Sequence, residues 1–409
     1  MSQLYTFAIH LYAILVQIVA PFNPKAKKWI LGRKNLWEEI ASAVEPGYII
    51  WIHASSVGEF EQARPLIERI KKDYPLKKIL VTFYSPSAYE LRKNYELADY
   101  IFYLPLDTPK NARKFLDLVQ PEMVFFVKYE FWYNFIVEIH NRHITLYLIS
   151  GIFRSSQYFF KWYGGWFRKQ LKYFNQLFIQ DNHSASLLEK IQISTYTVNG
   201  DTRFDRVYSN TQNPRTFEAI NTFTSSNPIL LCGSTWSPDE TMLLEYIKTT
   251  KTSLKLIIAP HEIHSDHILN LKQLFSDFNP ILWSELHQSQ STDHSQLLII
   301  DSVGILMHLY QYADVAYVGG GFGVGIHNIL EAACFGKPIV FGPKYQKFKE
   351  AQDLIQAQGA FSIQNQVELN ISMDKLFNNQ DFKQVTSEIC VQYVKNNIGA
   401  TEVIYNHCF

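Results

Sequence analysis

Two doubly wound α/β domains in tandem, preceded by a hydrophobic anchor, are the fold that this sequence predicts. At 409 residues the chain is long for one hydrophobic core. Short continuous apolar runs alternate with stretches of helical spacing such as 60–72, and this alternation is typical of a parallel sheet covered on both faces. A polar stretch separates two series of such runs. We therefore expect two domains, with a ligand cleft between them at the carboxyl ends of the strands.

The predicted strands are rich in β-branched and aromatic residues. Those of the first series lie at 48–54, 78–84, 123–127, 144–149 and 176–180. Those of the second series lie at 229–232, 254–259, 297–300, 314–318 and 338–341. The resulting boundaries are an anchor at 1–22, an N-terminal Rossmann-like domain at 23–207, a linker with a short helix at 208–228 and a C-terminal Rossmann-like domain at 229–409. A polar loop at 284–296 is interpreted as a surface excursion.

The N-terminus carries an uncharged run, LYTFAIHLYAILVQIVAPF, at 4–22. About 20 apolar residues span a bilayer as a helix, so this run is at the lower limit. Basic residues follow it, and they favour the cytoplasmic side and attract anionic lipid. They are Lys25, Lys27, Lys28, Arg33 and Lys34. The run predicts attachment to the cytoplasmic face of a membrane, and a buried first helix of the soluble domain is the alternative. A cleaved signal peptide fits less well, since no basic side chain precedes the run.

Composition excludes several classes of function. Lys plus Arg and Asp plus Glu balance at 38 each, which argues against a nucleic-acid partner. Cys232, Cys334, Cys390 and Cys408 form no CxxC pair, so neither a zinc site nor a disulfide framework is indicated. Reduced thiols in a cytoplasm-facing protein fit this spacing.

The motif HASSVGEF at 53–60 follows the first predicted strand and opens a helix. Small residues and a glycine allow a ligand to approach the helix N-terminus, where free N–H groups favour anions. Glu59 at the end of a strand is well placed for a general base. An ordinary helix start, with Ser56 as N-cap and Glu59 completing a capping box, explains the same spacing.

A second motif, KYEFWYN at 128–134, also follows a buried strand. Its acidic, aromatic and amide groups suit a sugar face and its hydroxyls. An amphipathic helix with its aromatic residues in the core is the alternative interpretation.

The third motif, GGGFGVGIHNILE at 319–331, follows the strand at 314–318 and leads into a predicted helix EAACFG. Its five glycines predict exposed backbone N–H groups that cradle a phosphate, aided by the helix dipole. The spacing is not that of a P-loop. Two weaker motifs also lie at strand ends: GST at 233–235 for a phosphate and DSVG at 301–304 for a base or ribose.

In this order the motifs resemble those of the Kdo transferase family of lipopolysaccharide synthesis. HASSVGEF is the most specific match, and GIHNILEAACFGKPIVFGP is similar to the family's GGHNxLEPxxxGxPVxxGP. FDRV after Gly200 and Asp201 resembles the family's GNLKFD segment, with Arg203 in place of lysine. GST, DSVG and the N-terminal anchor also fit, so the resemblance covers nearly the whole chain.

The resemblance implies a GT-B fold and an inverting transfer from CMP-Kdo to a lipid A precursor, with Glu59 as the base. The other residues expected at the acceptor or sugar are Ser55, Ser56, Gly58, Glu130, Trp132 and Asn134. Those expected at the donor are Gly233, Ser234, Thr235, His261, His264, Ser302, Val303, Gly304, Gly325, Asn328 and Glu331.

Two positions depart from the family pattern. Lys128 stands where the family's ExE[LF]W motif has its first acid, and Glu130 matches the second. His261 stands where the family's PRHxE has its arginine, so either His261 or His264 is expected at the phosphate.

No metal or cofactor is expected, because a nucleoside monophosphate leaves without a diphosphate to chelate and no DxD-type acidic pair ends a strand. A second enzyme class, a UDP-sugar transferase or epimerase, stays open. So does a membrane-tethered nucleotide-binding module without transfer activity.

Overall fold

The computed structural model describes residues 1–224, 227–286 and 294–409. Two residues of the predicted linker and 287–293 of the predicted polar loop lie outside this description. The chain divides into two compact units. The N-terminal unit comprises Met1–Arg206 together with Ile398–Phe409, and the C-terminal unit comprises Val207–Asn397.

The N-terminal unit alternates strands and helices, as predicted. Its strands are β1 (Ile49–His53), β2 (Lys78–Phe83), β3 (Tyr100–Tyr103), β4 (Met123–Val127), β5 (Thr145–Gly151), β6 (Gln176–Ile179) and β7 (Tyr196–Val198). Its helices before the unit boundary are α1 (Ser2–Val19), α2 (Pro24–Leu31), α3 (Leu36–Ala43), α4 (Val57–Asp73), α5 (Pro86–Arg92), α6 (Pro109–Val119), α7 (Tyr133–Asn141), α8 (Gly165–Leu171) and α9 (Asn182–Lys190).

Among the described residues, the N-terminal sheet has seven parallel strands in the order β3-β2-β1-β4-β5-β6-β7. The order reverses between β1 and β4, which pair in parallel from Ile50 with Met123 to His53 with Phe126. Ligands of doubly wound sheets bind outside the carboxyl ends of the strands at such a reversal. The HASSVGEF motif after β1 and the KYEFWYN motif after β4 therefore lie side by side.

The C-terminal unit has the same design. Its strands are β8 (Ile229–Thr235), β9 (Lys255–Pro260), β10 (Ile281–Leu282), β11 (Leu297–Ile299), β12 (Val315–Val318), β13 (Ile339–Phe341) and β14 (Ala360–Ser362). Helices α10 (Thr202–Gln212), which crosses the unit boundary, and α11 (Glu218–Thr224) precede them. The further helices are α12 (Ser237–Thr249), α13 (Ser265–Leu274), α14 (Trp283–Leu286), α15 (Leu306–Leu309), α16 (Leu330–Ala333), α17 (Lys349–Gln356), α18 (Gln366–Asn378) and α19 (Gln380–Lys395).

The C-terminal sheet of the described residues has seven strands in the order β10-β11-β9-β8-β12-β13-β14, again parallel. Its order reverses between β8 and β12, so the GST motif at the end of β8 and the glycine-rich segment after β12 are neighbours. The Gly319 N–H donates to the Gly233 carbonyl at 2.9 Å across this point. The predicted doubly wound α/β class is thus confirmed in both units.

The last helix, α20 (Ala400–Cys408), returns to the N-terminal unit. Asp205 accepts hydrogen bonds from the backbone N–H groups of Gly399 at 2.6 Å and Thr401 at 2.7 Å. Tyr405 donates to Asp73 at the end of α4 at 2.7 Å. The predicted C-terminal domain ran to residue 409, whereas the structure returns these last residues to the other unit. The predicted linker likewise consists largely of α10 and α11.

Helix α1 lies along the N-terminal unit. None of its 18 residues is buried, so it is not the core helix of the alternative interpretation. One stripe, including Tyr5, Ile9 and Val16, is half-buried, and the Tyr5 hydroxyl donates to Asp107 Oδ2 at 2.7 Å. The other face exposes large apolar side chains such as Phe7 and Ile18. Within the described residues, α1 alone is long and apolar enough to cross a membrane.

Arg33 differs from the expectation that it faces a membrane together with the neighbouring lysines. Its guanidinium donates to the carbonyls of Trp29, Tyr84 and Leu104 at 3.0 to 3.1 Å and lies over the Trp29 ring at 4.2 Å. Burial lowers the pKa of Arg33 to about 10. The segment after α1 therefore exposes its lysines to solvent. Its arginine instead bonds α2 to the segments that follow β2 and β3.

Candidate active site

The HASSVGEF segment forms a capping box at the start of α4. The Ser56 side chain accepts from the Glu59 N–H at 3.4 Å, and Glu59 Oε2 accepts from the Ser56 N–H at 3.0 Å. Gly58 in the first turn is exposed, and no atom lies within 4 Å of the position of a Cβ built on it. The capping role and a catalytic role for Glu59 are compatible, because the bond uses one carboxylate oxygen.

The electrostatics of Glu59 suit proton transfer near neutral pH. Burial raises its pKa to about 7, and the negative charge of Glu130 acts in the same direction. Hydrogen bonds from the Ser56 and Ser55 backbone and the charge of Lys128 oppose this rise. A general base works best when its pKa lies near the operating pH, and Glu59 meets this condition.

His53 is the centre of the polar cluster next to Glu59. It is fully buried at the end of β1, and its Nε2 lies 3.1 Å from Glu130 Oε2 and 3.3 Å from the Ser55 hydroxyl. Its Nδ1 lies 3.0 Å from the Thr82 carbonyl. Trp132 Nε1 lies 3.0 Å from His53 Nε2 and also donates to the Glu130 carboxylate. The structure thus brings Ser55, Glu130 and Trp132 together through a histidine to which the sequence alone assigned no role.

Glu130 is buried within this cluster. Burial opposes its ionisation, but the hydrogen bond and charge of His53, with further bonds from Ser55 and Trp132, outweigh burial, so the pKa of Glu130 lies below its ordinary value. Two neighbouring carboxyl groups therefore have pKa values shifted in opposite directions. Glu130 stays ionised and Glu59 titrates near neutrality, which separates a positioning role from a proton-accepting role.

Asn134 has a different environment from the one expected of an acceptor ligand. It is buried, with 6% of its surface exposed, and its side-chain amide donates to the Asp107 carbonyl at 2.7 Å. Its backbone N–H and that of Phe135 donate to the Asp107 carboxylate at 3.2 and 3.0 Å. Asn134 therefore fixes the start of α7. The preceding KYEFW segment is a turn rather than the amphipathic helix of the alternative interpretation, since α7 begins only at Tyr133.

Lys128, the departure from the family motif, opens this turn. Its φ is +64°, in the left-handed region that a non-glycine residue rarely adopts. Its Nζ lies 5.4 Å from the centre of the Tyr129 ring, and the Arg154 guanidinium lies 5.8 Å from the same ring. Two cationic side chains thus lie near the Tyr129 ring, which also interacts with the charge of Glu59.

The glycine-rich segment after β12 packs tightly against β8. A Cβ on Gly319 would lie 2.4 Å from the Ser234 carbonyl oxygen, so only glycine fits there. The predicted phosphate cradle differs in detail from the expectation, because several of its backbone N–H groups already donate to acceptors within the protein. Gly320 donates to Asp239 Oδ2 at 3.0 Å, and Gly323 and Gly325 donate to the Gly320 carbonyl at 2.9 and 3.2 Å. The helix that follows, α16, has four residues, so it contributes a smaller dipole than expected.

The residues of the GST motif have three different environments. Gly233 is packed against the Tyr310 hydroxyl, which a Cβ would approach to 2.2 Å. Thr235 is 1% exposed and its hydroxyl donates to Glu240 at 3.0 Å. Only Ser234, half-buried with a φ of +54°, is placed to meet a ligand.

A cluster of three rings borders the glycine-rich segment. The centre of the His261 ring lies 4.7 Å from that of Trp236 and 4.3 Å from that of His327. Burial, and then the charge of His261, lowers the pKa of His327 to about 4, which leaves His327 Nε2 free to accept from Trp236 Nε1 at 3.2 Å. His264 is exposed and is the N-cap residue directly before α13. Of the two histidines proposed for the arginine position, the structure brings His261 next to the glycine-rich segment.

Asn328 and Glu331 form a pair. The Asn328 amide donates to Glu331 Oε1 at 3.0 Å, and its side-chain oxygen accepts from the Leu330 N–H at 3.2 Å. The DSVG loop is open: Val303 is 71% exposed and Gly304 has a φ of +88° with free space around it. The Ser302 hydroxyl is buried without a hydrogen-bond partner, as expected where a ligand supplies one.

Comparison with known proteins shows which enzymes the chain is similar to. Residues 28–206 match the sequence model of 3-Deoxy-D-manno-octulosonic-acid transferase (kdotransferase). The 3-deoxy-D-manno-octulosonic acid transferase of Aquifex aeolicus is 27% identical over 352 residues, which cover 80% of this chain and 85% of the relative. That of Rickettsia felis is 28% identical over 366 residues, covering 85% and 76%. Over most of its length the chain is thus similar to Kdo transferases.

Similarity to enzymes named 3-deoxy-D-manno-octulosonic acid transferase shows that the chain is a glycosyltransferase. A solved structure of UDP-GlcNAc 2-epimerase from Neisseria meningitidis is similar with a TM-score of 0.63 and 15% identity, covering 88% of this chain and 99% of that one. At this identity the likeness shows the fold alone, which is GT-B.

Three groups of the candidate site were not assigned by the sequence. His53 and His327 lie inside motifs that were recognised, and their positions were the only signal: His53 is the last residue of β1, and His327 lies in the glycine-rich segment after β12. Asp239 accepts from the Gly320 and Trp236 N–H groups and from the Tyr317 hydroxyl at 2.8 to 3.0 Å. Burial raises the pKa of Asp239 even though these three donors act against it. Nothing in the local sequence distinguishes this carboxylate from an ordinary one at a helix start.

Proposed function

We propose that this chain transfers Kdo from CMP-Kdo to a lipid A precursor such as lipid IVA, with inversion at the anomeric carbon. The observation that carries the proposal is the Glu59 carboxyl group, whose pKa is raised to about 7. It lies where the strand order of the N-terminal sheet reverses, inside the segment that matches the family model. The names of the relatives support Kdo as the transferred sugar.

In the proposed step Glu59 accepts the proton of an acceptor hydroxyl. The hydroxyl oxygen forms a bond to the anomeric carbon of Kdo while the bond from that carbon to the phosphate oxygen breaks. CMP leaves with the electron pair. A positioned base supplies typically ~10²–10⁴-fold of the rate. His53, Glu130 and Trp132 are positioning residues in this scheme, because they fix the turn beside Glu59.

The donor half of the proposal uses the C-terminal unit. Ser234, His261 and the Asn328–Glu331 pair would contact the phosphate and nucleotide, and the open Ser302–Gly304 loop would meet the base. No metal is required, since donors on the protein can stabilise a monophosphate leaving group. That metal independence stays a prediction.

The proposed acceptor is a lipid, so the enzyme must work at a membrane. Helix α1 exposes an apolar face, and Lys25, Lys27, Lys28 and Lys34 follow it on the surface. Each basic residue near an anionic surface contributes about 1 kcal/mol of attraction. We propose attachment to the cytoplasmic face of the inner membrane through these two features.

Mass analysis of the product formed from lipid acceptor and CMP-Kdo tests the proposal. A product heavier by one or more Kdo units supports it, and the count gives the number of additions. Parallel reactions with UDP-sugars and with EDTA complete the test. Transfer from a UDP-sugar alone, or strict dependence on a divalent ion, would overturn the assignment of donor and mechanism.

A further inference from the structure

A cavity of about 330 Å³ lies in the N-terminal unit beneath α1. Its walls come from α1, from the start of α2 and from the segment that joins β2 to α5. The lining residues are Tyr12, Val16, Asn23, Lys25, Ala26, Trp29, Tyr84, Ser85 and Pro86. The volume is at the lower end of that of ligand sites, and most of the lining side chains are apolar.

The wall offers one polar group that the protein leaves unsatisfied. Trp29 is 9% exposed, and its indole Nε1 is buried without an acceptor in hydrogen-bond geometry, although the Tyr84 hydroxyl is nearby. A buried donor of this kind normally has a partner. Exposed Lys25 adds a positive charge to the lining. An apolar space with one free N–H donor and a cation beside it suits a hydrocarbon chain that carries a carbonyl and belongs to an anionic molecule.

The cavity adjoins the catalytic cluster. The Tyr84 ring packs on the Trp132 ring at 4.7 Å, and Trp132 in turn contacts His53 and Glu130. The Ser85 N–H donates to the Ser55 carbonyl at 2.9 Å. Both Tyr84 and Ser85 therefore line the cavity, while Tyr84 packs on Trp132 and Ser85 bonds to the HASSVGEF turn.

We infer that this cavity binds one acyl chain of the phosphorylated glycolipid acceptor. The inference rests on the proposed function, which requires a sugar hydroxyl at Glu59 while the tails of the same molecule stay near α1. The charge of Lys25 complements an anionic headgroup, and the Trp29 N–H matches the carbonyl of an ester- or amide-linked chain. The cavity would thereby select for acylated acceptors and orient them.

Filling the cavity tests the inference. In Val16→Trp the added ring enters the cavity from α1 and keeps the helix apolar, and Ala26→Trp fills it from α2. Ile18→Trp is the matched control, because Ile18 is 61% exposed on the outer face of the same helix. The KM is measured in detergent micelles for the acylated acceptor and for its deacylated, water-soluble counterpart.

We expect both filling variants to reduce the preference for the acylated acceptor, expressed as the ratio of the two KM values, about tenfold (roughly 1.4 kcal/mol). Ile18→Trp should keep the wild-type ratio. An unchanged ratio in both filling variants overturns the inference, and so does an equal rise of both KM values. Lost vesicle co-sedimentation with an unchanged ratio would assign the cavity to a bilayer lipid instead. If the wild-type enzyme transfers Kdo to neither acceptor, the proposed function itself has failed.

Discussion

The carboxylate of Glu130 acts on the carboxyl group of Glu59 and adds to the effect of burial, which brings the pKa of Glu59 to about 7. Glu130 remains ionised because His53, Ser55 and Trp132 bond to it. The two motifs that carry these carboxylates are 71 residues apart, from 59 to 130, and the strand-order reversal brings them together. The proposed base and the carboxylate that raises its pKa thus follow different strands, β1 and β4.

Replacing Glu59 by Gln should abolish transfer while the fold and CMP binding persist. Gln retains an oxygen that accepts from the Ser56 N–H, so the capping box survives and only the base is lost. We expect a decrease in kcat of ~10²–10⁴-fold, measured with saturating CMP-Kdo and acceptor. Ser56→Ala removes the other half of the capping box and should cost about 1 kcal/mol of stability, while the Glu59 carboxylate is kept. A Glu59→Gln enzyme with more than about a tenth of the wild-type rate would exclude Glu59 as the base.

The pH profile should report the pKa of Glu59. Only the ionised carboxylate accepts a proton, so kcat/KM should rise with pH through about 7 and then level off. Glu130→Gln removes a negative charge that raises the pKa of Glu59, so the acid limb should move to lower pH whatever the remaining rate. A limb that stays in place would show that Glu130 does not tune Glu59. A merely structural role for Glu130 would change the height of the profile and not its position.

The interior of the fold was predictable from the sequence because buried strands are continuous apolar runs. The runs at 123–127 and 229–232 appear as β4 and the start of β8. Of the described strands, the four that the apolar runs did not include are β3, β7, β10 and β14, and each is an edge strand of its sheet. Edge strands pair on one side and are short, so their apolar signal is weak.

Within the site, the sequence predicted well which segments come together. It predicted less well which side-chain atoms are available to a ligand. Asn134 and Thr235 were expected at ligands, but Asp107 and Glu240 already occupy their side chains. Whether a polar group at a strand end faces inward depends on a partner distant in sequence or on the local turn, and no motif encodes that choice. Arg33 is a similar case, since its acceptors are carbonyls of three separate segments.

Asn328→Ala and Glu331→Ala should each weaken CMP binding by about 1–3 kcal/mol. Because the two side chains bond to each other at 3.0 Å, the losses should not add in the double variant. Isothermal titration of CMP into the wild type, both single variants and the double variant gives the coupling energy. Unchanged CMP affinity in both single variants would remove the pair from the donor site.

Metal chelation should leave the rate of transfer unchanged. The proposed mechanism places the leaving phosphate among protein donors alone. Initial rates with EDTA, compared with rates after addition of excess Mg²⁺, check this expectation. A rate that falls to background with EDTA and returns with the metal would contradict the metal-free mechanism.

Deleting residues 1–22 should release the enzyme from membranes and leave its donor unit intact. Helix α1 has no buried residue, and Asp107, which loses the Tyr5 hydroxyl, keeps the N–H donors of Asn134 and Phe135. We therefore expect soluble protein with wild-type CMP affinity, no co-sedimentation with anionic vesicles and a raised KM for lipid acceptor. Tyr5→Phe separates membrane attachment by α1 from its contribution to stability. The variant keeps the apolar face of the helix but loses the hydrogen bond to the Asp107 carboxylate. The free energy of unfolding should therefore fall by about 2 kcal/mol, while vesicle binding persists. A truncated enzyme that still sediments with vesicles and keeps its KM would show that α1 is not the anchor.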